Sequence, residues 1–449
     1  MKRKLLLLSF VTSLVSSVFA QEMPTEKATF SVAPNAQSVK FAVRMSNTGD
    51  VLVCNFGEGE GIKTFTNVSD ETLTSLEYTF NTPSSQERTI EIAANKITTL
   101  RVVNTKSING IVDINSSLLE NLNIDYVSLT AHNKVDVSKC PALVSLTLTS
   151  TGVEEVVLPK SELFESVQVS PNALGEGTLK KINLQDVPNL NEIGFVGASI
   201  DTLDLRNNPK MKVLVSSLPK KALRAIKGVK QLRGITTLDV RANALAFDQL
   251  PDLYVEDLEL ENFRYSSQGS ILIPKNKING FTVDLNHLTT AKGLAPAKQT
   301  TTFTWKYKAN ATAKYVGVPS DKMTNVDGVF TFDKTLSEDD TLRVYCTMSN
   351  PGYPGIGKKN SDNISTYMIK LTATTNGLNE VAATNNHNDI AIIFRENDVY
   401  IESAVQQRAT LYNLVGQKMW DGFLPANVPL HNGTYILQSE KSGTRKFTK

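Results

Sequence analysis

The residues that most often carry out catalysis are few in this chain of 449 residues, and they form no known catalytic pattern. The four histidines, His132, His287, His387 and His431, are far apart, and none belongs to an HExxH motif or lies close to a cysteine. The chain has neither a GxSxG nucleophile elbow nor a GxxxxGKS or GxxxxGKT phosphate-binding loop. Because no nucleophile can be paired with a base, we expect a protein that is not an enzyme and that uses no cofactor.

The cysteines and two glutamates beside glycines are the other candidates for chemistry. Cys54, Cys140 and Cys346 form no CxxC pair, so their spacing predicts neither a zinc site nor a disulfide framework. We expect three buried thiols that act as small hydrophobic side chains, with one long-range bridge as the alternative.

Glu58 and Glu60 suggest calcium, but two carboxylates fall short of the roughly six to eight oxygen ligands that calcium takes. The surrounding glycines instead indicate a hairpin.

Composition indicates a folded chain close to neutrality. The first 20 residues contain three basic residues; without them, 44 Lys and Arg stand against 45 Asp and Glu, a net charge of −1. A chain that binds nucleic acid would need a basic stripe, so we expect no nucleic-acid partner. The length predicts three or four modules.

The middle of the chain is a repeat, and this repeat must position any binding residues. Three segments align without gaps, Val135–Leu148, Ile182–Phe195 and Leu203–Ser216, and Val156–Val169 keeps the same apolar frame. Each segment reads apolar-x-apolar, then a turn, then a second apolar-x-apolar. Two of the steps between frames are 21 residues long, and a period in this range predicts a solenoid.

The repeat separates inward from outward side chains. Side chains two apart point to the same side of a strand, so the apolar pairs must face the inside of a stacked coil. The sixth position of each unit is Cys140, Val187 or Asn208, where an asparagine side chain can hydrogen-bond the backbone of the turn. The intervening residues point outward. The candidate binding residues are therefore Asp136, Thr147, Gln168, Asn183, Asp204 and Asp239, with Arg206 and Arg241 nearby.

This outward row is mixed in charge and poor in aromatic residues. Protein-binding hot spots are enriched in Trp, Tyr and Arg, so a glycan or a weak multivalent contact is favoured over a large protein partner. The pattern leaves open which of the two strand sets lines the concave side of the coil.

A basic insert, Leu218–Gly234, interrupts the repeat. The spacing of Leu223, Ile226 and Val229 predicts a short amphipathic helix with one apolar face. The favoured interpretation is a solvated surface helix. The alternative is that its net positive charge contacts an acidic polysaccharide.

The segment that follows the repeats has the strand pattern of a β-sandwich. Several alternating strands fall within Ile271–Ala373, with Trp305 in an early strand and Cys346 in a late one. Immunoglobulin domains bury a similar tryptophan against a disulfide, but no partner cysteine is available here. We expect an immunoglobulin-like sandwich without that bridge.

Several repeat segments resemble a known family. TLDLRNNPKM at Thr202–Met211, VDVSKCPAL at Val135–Leu143 and ITTLDVRAN at Ile235–Asn243 are similar to the irregular leucine-rich repeats of internalin-like surface proteins of Bacteroidota. The resemblance implies a mainly β fold, in which a leucine-rich-repeat solenoid is flanked by an N-terminal β module, the sandwich and a C-terminal β-sandwich. It implies a cell-surface binding or adhesion protein that contacts host, bacterial or matrix ligands. The alternatives are a structural surface-layer component and an accessory glycan-binding protein.

The C-terminal residues resemble a sorting domain. Asn376–Lys449 contains DVYIES, ATLYNLVGQKMWDG, LHNGTYILQ and GTRKF in that order, which is similar to the C-terminal sorting domain of the type IX secretion system. The resemblance implies three partners: the secretion machinery, a sortase that removes the domain, and a surface lipopolysaccharide to which the mature chain is joined. It places the sorting signal at Gly416, Gly433, Tyr435, Gly443 and Lys446.

The N-terminus predicts export. Met1–Ala20 has a basic start, an apolar stretch and a small residue, Ala20, before Gln21, which is typical of a signal peptide. Its apolar part is short for a membrane span. We expect a chain without a transmembrane span after signal removal, exported through the periplasm to the outer-membrane surface or secreted.

The expected segments are a signal peptide (1–20), an N-terminal β module (21–97), the solenoid (98–268), the immunoglobulin-like sandwich (269–375) and the sorting domain (376–449).

Overall fold

The computed structural model describes residues 22–59, 61–103, 107–127, 129, 133–171, 178–216, 223–252, 263–355, 364–373, 390–394, 398–403, 407–414, 416–424, 426–431, 433–440 and 443–448. These residues form a mainly β structure whose helical segments are short 3₁₀ turns. The chain divides into two compact units, residues 1–374 and 375–449. The sequence-predicted signal peptide lies outside the described residues.

The N-terminal part of the first unit contributes strands to two sheets. These strands are β1 (Lys27–Val32), β2 (Ser38–Met45), β3 (Leu52–Asn55), β4 (Ile62–Phe65), β5 (Thr74–Thr79), β6 (Arg88–Ala93), β7 (Ile97–Val103) and β8 (Ile108–Ile114). Five of them form an antiparallel sheet in the order β4-β3-β6-β1-β8. The pairing of β8 with β1 joins residues on both sides of position 97, where the sequence predicts the module boundary.

The solenoid contributes the next strands. They are β9 (Asn121–Asp125), β10 (Lys134–Asp136), β11 (Ser145–Thr149), β12 (Glu155–Val157), β13 (Ser166–Ser170), β14 (Lys181–Ile182), β15 (Glu192–Phe195), β16 (Thr202–Asp204), β17 (Val213–Val215), β18 (Ala225–Lys227), β19 (Thr237–Asp239) and β20 (Phe263–Arg264). One strand of each coil joins a ten-stranded sheet in the order β20-β19-β17-β15-β13-β11-β9-β7-β2-β5. Its strands are parallel from β20 to β7, whereas β2 and β5 are antiparallel. On the other side, the coils form two shorter parallel sheets, β10-β12-β14 and β16-β18.

The predicted solenoid is confirmed, and alternation along each strand shows why it forms. In β11, Leu146 and Leu148 are fully buried, whereas Ser145, Thr147 and Thr149 lie half-buried on the outer side. A single coil has no second layer against which to bury such leucines. Stacking the coils gives them a continuous core, and the hydrophobic effect therefore selects the repeat architecture.

Buried polar side chains connect neighbouring coils. Asn208 is fully buried and donates hydrogen bonds from Nδ2 to the carbonyl oxygens of Leu184 (3.0 Å) and Val187 (2.9 Å) in the preceding coil. This confirms the backbone hydrogen bond predicted for the sixth position. Cys140 lies at the same place in an earlier coil, with its Sγ 3.7 Å from the carbonyl oxygen of Ile114. Burial raises the pKa of this thiol to about 11, so it stays protonated.

The helix predicted within the basic insert is wrong in its described part. Residues 223–234 instead contain β18 and a 3₁₀ turn at Val229–Gln231. β18 pairs in parallel with β16, so the insert is itself a coil of the solenoid. Leu223, Ile226 and Val229 are buried because they face the shared core. Apolar residues three apart fit this coil as well as they fit a helix.

The segment after the solenoid forms a sandwich of two main sheets. Its strands are β21 (Ser270–Ile271), β22 (Ile278–Asn279), β23 (Thr282–Asp284), β24 (Thr290–Ala291), β25 (Gln299–Thr300), β26 (Thr302–Lys308), β27 (Val316–Gly317), β28 (Met323–Val326), β29 (Val329–Phe332), β30 (Thr341–Ser349), β31 (Ile364–Thr366) and β32 (Ile369–Thr372). One sheet has the order β21-β31-β30-β26-β27, with β32 also paired to β30. The other has the order β22-β23-β29-β28, and β24 pairs with β25.

The two main sheets pack through aromatic side chains. Trp305 on β26 is 4% exposed, and its ring lies 5.2 Å from that of Phe330 and 4.9 Å from that of Phe332 on β29. Cys346 lies directly opposite Trp305 in the register of β26 with β30. It is buried and unpaired, as are Cys54 and Cys140, so the expectation of three buried thiols is confirmed.

The sandwich covers the last coil of the solenoid. Tyr353 is 2% exposed, and its ring stacks on that of Phe247 with centroids 5.5 Å apart. Tyr265 contacts the Tyr353 ring edge-on, with ring centroids 5.4 Å apart. A solenoid needs a cap because its end coil would otherwise expose the core. These contacts make the hydrophobic core continuous from the N-terminal strands to the sandwich.

The second unit is a separate pair of antiparallel sheets. Its strands are β33 (Ile390–Phe394), β34 (Asp398–Ser403), β35 (Gln407–Asn413), β36 (Lys418–Leu424), β37 (Ala426–Pro429), β38 (Thr434–Ser439) and β39 (Gly443–Thr448). They form the sheets β33-β34-β37 and β36-β35-β38-β39. Val399, Ile401, Leu411 and Leu437 are fully or almost fully buried in its own core.

Candidate binding face

The outer side of the ten-stranded sheet, called the solenoid face below, carries one row of side chains that crosses the whole sheet. Each residue of the row is the direct register partner of the next. From β5 to β20 the row is Ser75, Ala42, Arg101, Asn123, Thr147, Gln168, Gly194, Val215, Asp239 and Arg264. Neighbouring strands are about 4.8 Å apart, so the row is about 43 Å long.

The predicted binding residues divide between the two sides of the coil. Thr147, Gln168 and Asp239 lie on the solenoid face. Asp136, on β10, and Asp204, on β16, belong to the opposite sheets. The remaining three predicted residues lie just after the end of a strand: Asn183 after β14, Arg206 after β16 and Arg241 after β19. The eight residues therefore do not form one surface.

Two of the predicted aspartates, Asp204 and Asp239, each form an ion pair with the arginine two residues later in the chain. Arg206 donates from Nε and Nη2 to the two oxygens of Asp204, at 2.9 and 2.6 Å. Arg241 makes the same fork to Asp239, at 2.9 and 2.7 Å. The hydrogen bond from Arg206 lowers the pKa of Asp204 to about 2. Both pairs close the turn after a strand and neutralise their own charge, which favours a structural role over ligand binding.

A groove lies at the antiparallel end of the solenoid face. Its volume is about 620 Å³, within the range of small-ligand sites, and its lining includes Lys40, Ala42, Leu73 and Arg101. The short side chain of Ala42 leaves a depression between its register partners on β5 and β7. Arg101 borders the depression and pairs with Asp125 at 3.2 Å. Glu77 also lines the groove and pairs with Lys40 at 3.1 Å, so the groove combines exposed apolar surface with two ion pairs.

No sequence pattern predicts this groove. Ala42 falls in the expected N-terminal β module (21–97), whereas Arg101 falls in the expected solenoid (98–268). The pairing of β2 with β7 extends the solenoid sheet backwards and brings them together. The register partners of β2 and β7 are more than 50 residues apart in the chain, and a local sequence pattern does not specify so distant a partner.

The Glu58 carboxylate is bound by four donors of the folded chain. Tyr78 donates to it at 2.7 Å, and the backbone N–H groups of Asn81 and Thr82 donate at 3.2 Å. Arg88 Nη1 lies 3.3 Å away. Burial opposes the charged form, but these donors outweigh it and hold the pKa of Glu58 below its ordinary value. Glu58 therefore joins the β3–β4 hairpin to the end of β5, and it has little capacity left for a cation.

Metal-binding groupings are not seen in the described ranges. No three His, Cys, Asp or Glu side chains among these residues are placed to hold a metal ion. His287 lies in the 3₁₀ turn Asn286–Leu288, and His431 precedes β38. His132 and His387 fall outside the described residues. Within the same ranges, no helix is long and apolar enough to cross a bilayer.

The five predicted sorting residues lie in the four-stranded sheet of the second unit or in its turns. Gly416 adopts a positive φ of 82° in the turn between β35 and β36. Tyr435 on β38 is 6% exposed and donates a hydrogen bond to the carbonyl oxygen of His431 at 2.9 Å. Gly433 precedes β38, and Gly443 and Lys446 belong to β39.

Comparison with known proteins adds little beyond the fold. No protein-family profile and no curated protein matches the chain. The crystal structure of Listeria monocytogenes InlP is similar with a TM-score of 0.27 and 14% identity, covering 62% of this chain and 88% of that one. The functional domain of InlJ from Listeria monocytogenes, which includes a cysteine ladder, has a TM-score of 0.26 and 13% identity, covering 61% and 66%. Similarity at this level carries no argument about function. The fold itself defines the class, a β-solenoid repeat protein with flanking β domains.

Proposed function

We propose that this chain is an exported cell-surface binding or adhesion protein whose solenoid face contacts host, bacterial or matrix ligands. The observation that carries the proposal is the unbroken row of ten register partners across one sheet. The opposite side of the coil has only the three-stranded and two-stranded sheets in the described residues. Solenoids use extended faces of this kind to bind ligands.

Display on the cell surface is supported by the sequence at both ends. The basic and apolar start is typical of a signal peptide, and the last residues resemble a type IX sorting domain. Compact folding of residues 375–449 as a unit of their own is compatible with removal by a sortase. The partners proposed for this step are the secretion machinery, the sortase and a lipopolysaccharide anchor.

The ligand experiment uses the full chain against a glycan array, immobilised collagen and fibronectin, and whole cells. Binding to cells or matrix proteins supports adhesion. Binding to one sugar class alone supports the accessory glycan-binding alternative. No binding to any of these probes contradicts the proposal and leaves a structural role in the surface layer.

Substitutions then test the site. Thr147→Arg with Gln168→Arg places two large side chains in the middle of the solenoid face. We expect this variant to lose at least about tenfold in affinity. The matched control, Asn183→Arg with Thr202→Arg, changes two exposed positions on the opposite side of the coil. A control that loses as much affinity as the face variant would contradict the placement of the site.

A further inference from the structure

Cations line up across three strands of the sandwich. Lys308 on β26 is the register partner of Arg343 on β30, which is the partner of Lys370 on β32. Side chains directly opposite on one face lie about 5 Å apart, and like charges at that distance are destabilising. Lys306 adds a fourth cation two residues before Lys308, on the same outer face. We call this surface, made by Lys306, Lys308, Arg343 and Lys370, the basic face of the sandwich.

Among the described residues, the carboxylate of Asp339 is the one that compensates this charge. Arg343 pairs with Asp339 at 2.9 Å and donates to the carbonyl oxygen of Thr341 at 2.7 Å. Lys306, Lys308 and Lys370 have no carboxylate partner in the part of the chain that the structure describes. Lys306 and Lys370 are exposed, and Lys308 is half-buried. The face therefore carries a net positive charge and attracts anions.

Two tyrosines border the cations, and their arrangement limits what can bind. Tyr315 and Tyr345 meet edge-to-face with ring centroids 4.7 Å apart. The ammonium of Lys308 lies over the Tyr315 ring, 4.7 Å from its centroid. Single-stranded nucleic acid is bound by stacking its bases on free ring faces. Here the Lys308 ammonium covers one face of the Tyr315 ring, and the two rings pack on each other, which reduces the ring surface left for a base. We therefore expect charge, not stacking, to drive binding at this surface.

The basic face is open to a chain-like ligand. Gly317 is the register partner of Lys306 on the edge strand β27, and no atom lies within 4 Å of the position its Cβ would take. No side chain therefore screens Lys306 on that side. Lys308 and Lys370 lie on either side of β30, two strand spacings or about 9.6 Å apart with Arg343 between them, which allows successive charged groups of one polymer to be bound together.

We propose that the basic face of the sandwich binds an acidic polysaccharide, a sugar polymer with repeated carboxylate or sulfate groups. This site is distinct from the solenoid face and does not rest on the function proposed for it, because the two lie on different sheets. The sandwich then has a binding role of its own.

Heparin is the probe for this proposal, with uncharged dextran and a single-stranded DNA oligonucleotide as comparisons. We expect the full chain to bind heparin at about 50 mM salt, to bind it more weakly at about 300 mM, and to bind dextran not at all. Lys308→Gln with Lys370→Gln should weaken heparin binding by about tenfold. The control, Lys298→Gln with Lys334→Gln, removes two exposed lysines from the same sandwich outside the strands of this sheet, and should bind within about twofold of the original chain.

A melting experiment on the same variants separates binding from folding. Lys308→Gln with Lys370→Gln relieves repulsion on both sides of Arg343 but also removes the contact of Lys308 with Tyr315, so we expect a cooperative melting transition close to that of the original chain. An equal loss of heparin binding in the control, or DNA bound as tightly as heparin, would each overturn the proposal. Absence of heparin binding at about 50 mM salt would overturn it as well.

Discussion

The hydroxyl of Tyr353 lies 3.1 Å from the carbonyl oxygen of Pro251 and donates a hydrogen bond to it. Tyr353 belongs to a loop of the sandwich, and Pro251 lies in the last coil of the solenoid, just after the 3₁₀ turn Phe247–Gln249. The ring of Tyr353 packs against the last coil and covers the end of the solenoid core. Its hydroxyl provides the hydrogen bond to the backbone carbonyl of Pro251. Solenoid and sandwich are therefore joined by a packed interface.

This contact makes a prediction about cooperativity. Tyr353→Ala should lower the free energy of unfolding by about 3–5 kcal/mol, because it leaves a cavity between two packed rings. Calorimetry should then resolve two transitions in the first unit where the unchanged chain shows one. Tyr353→Phe keeps the ring and should cost only about 1 kcal/mol. Tyr367→Ala removes a tyrosine that is 50% exposed and serves as the control. A single transition in Tyr353→Ala would contradict the joint role.

The hydrogen bonds of Asn208 make a second prediction. Asn208→Val should lower the free energy of unfolding by about 1–3 kcal/mol, because the carbonyl oxygens of Leu184 and Val187 lose a buried donor. The chain should still fold, since Val187 occupies the same place in its own coil. Urea unfolding measures the difference, with Asn123→Val on the outer row as the control. Equal stability of Asn208→Val and the original chain would show that the bonds contribute nothing.

Glu58 predicts a dependence of stability on pH. Its pKa is lower in the folded chain than in the unfolded one, so its contribution is present above the unfolded value of about 4.3 and is lost as pH falls through the folded value. Glu58→Gln should be less stable than the original chain by about 1–3 kcal/mol at pH 7. The two curves of stability against pH should converge below pH of about 4. Parallel curves would assign the loss to packing alone.

The proposed sorting role predicts a change in location. Deleting Gly443–Lys449 removes β39, the partner of β38, from the four-stranded sheet of the second unit. In a host with a type IX secretion system, we expect the truncated chain to accumulate in the periplasm, as measured by fractionation and surface labelling. Lys446→Gln, which keeps the strand, tests the basic charge separately. Normal surface display of the truncated chain would refute the sorting interpretation.

The repeat was predictable because its signal is local. Leu146 and Leu148 alternate with Ser145, Thr147 and Thr149, and that spacing alone assigns the leucines to the inside and the polar residues to the outside. The basic insert shows the limit of the same reasoning. Leu223, Ile226 and Val229 have a spacing that fits a helix and a coil equally, and only stacking on the preceding coil selected the coil.

Two nearly identical sequences show most clearly what local patterns leave undecided. LDLRNN at Leu203–Asn208 and LDVRAN at Leu238–Asn243 both hold an aspartate–arginine fork and a buried asparagine. The first begins in the short sheet β16-β18 and the second in the ten-stranded sheet, on opposite sides of the coil. The local turn is the same in both, so the side is set by how the intervening chain stacks.

The sequence by itself determined the repeat, the inward and outward residues and the scarcity of catalytic patterns, because these follow from residue type and near-neighbour spacing. The tertiary structure alone decided which outward residues share a surface. Strand pairing brought Ala42 and Arg101 into one groove, and it placed Lys308, Arg343 and Lys370 in one row. Such contacts join residues far apart in the chain, and their partners are chosen by burial of the whole core, which no short pattern encodes.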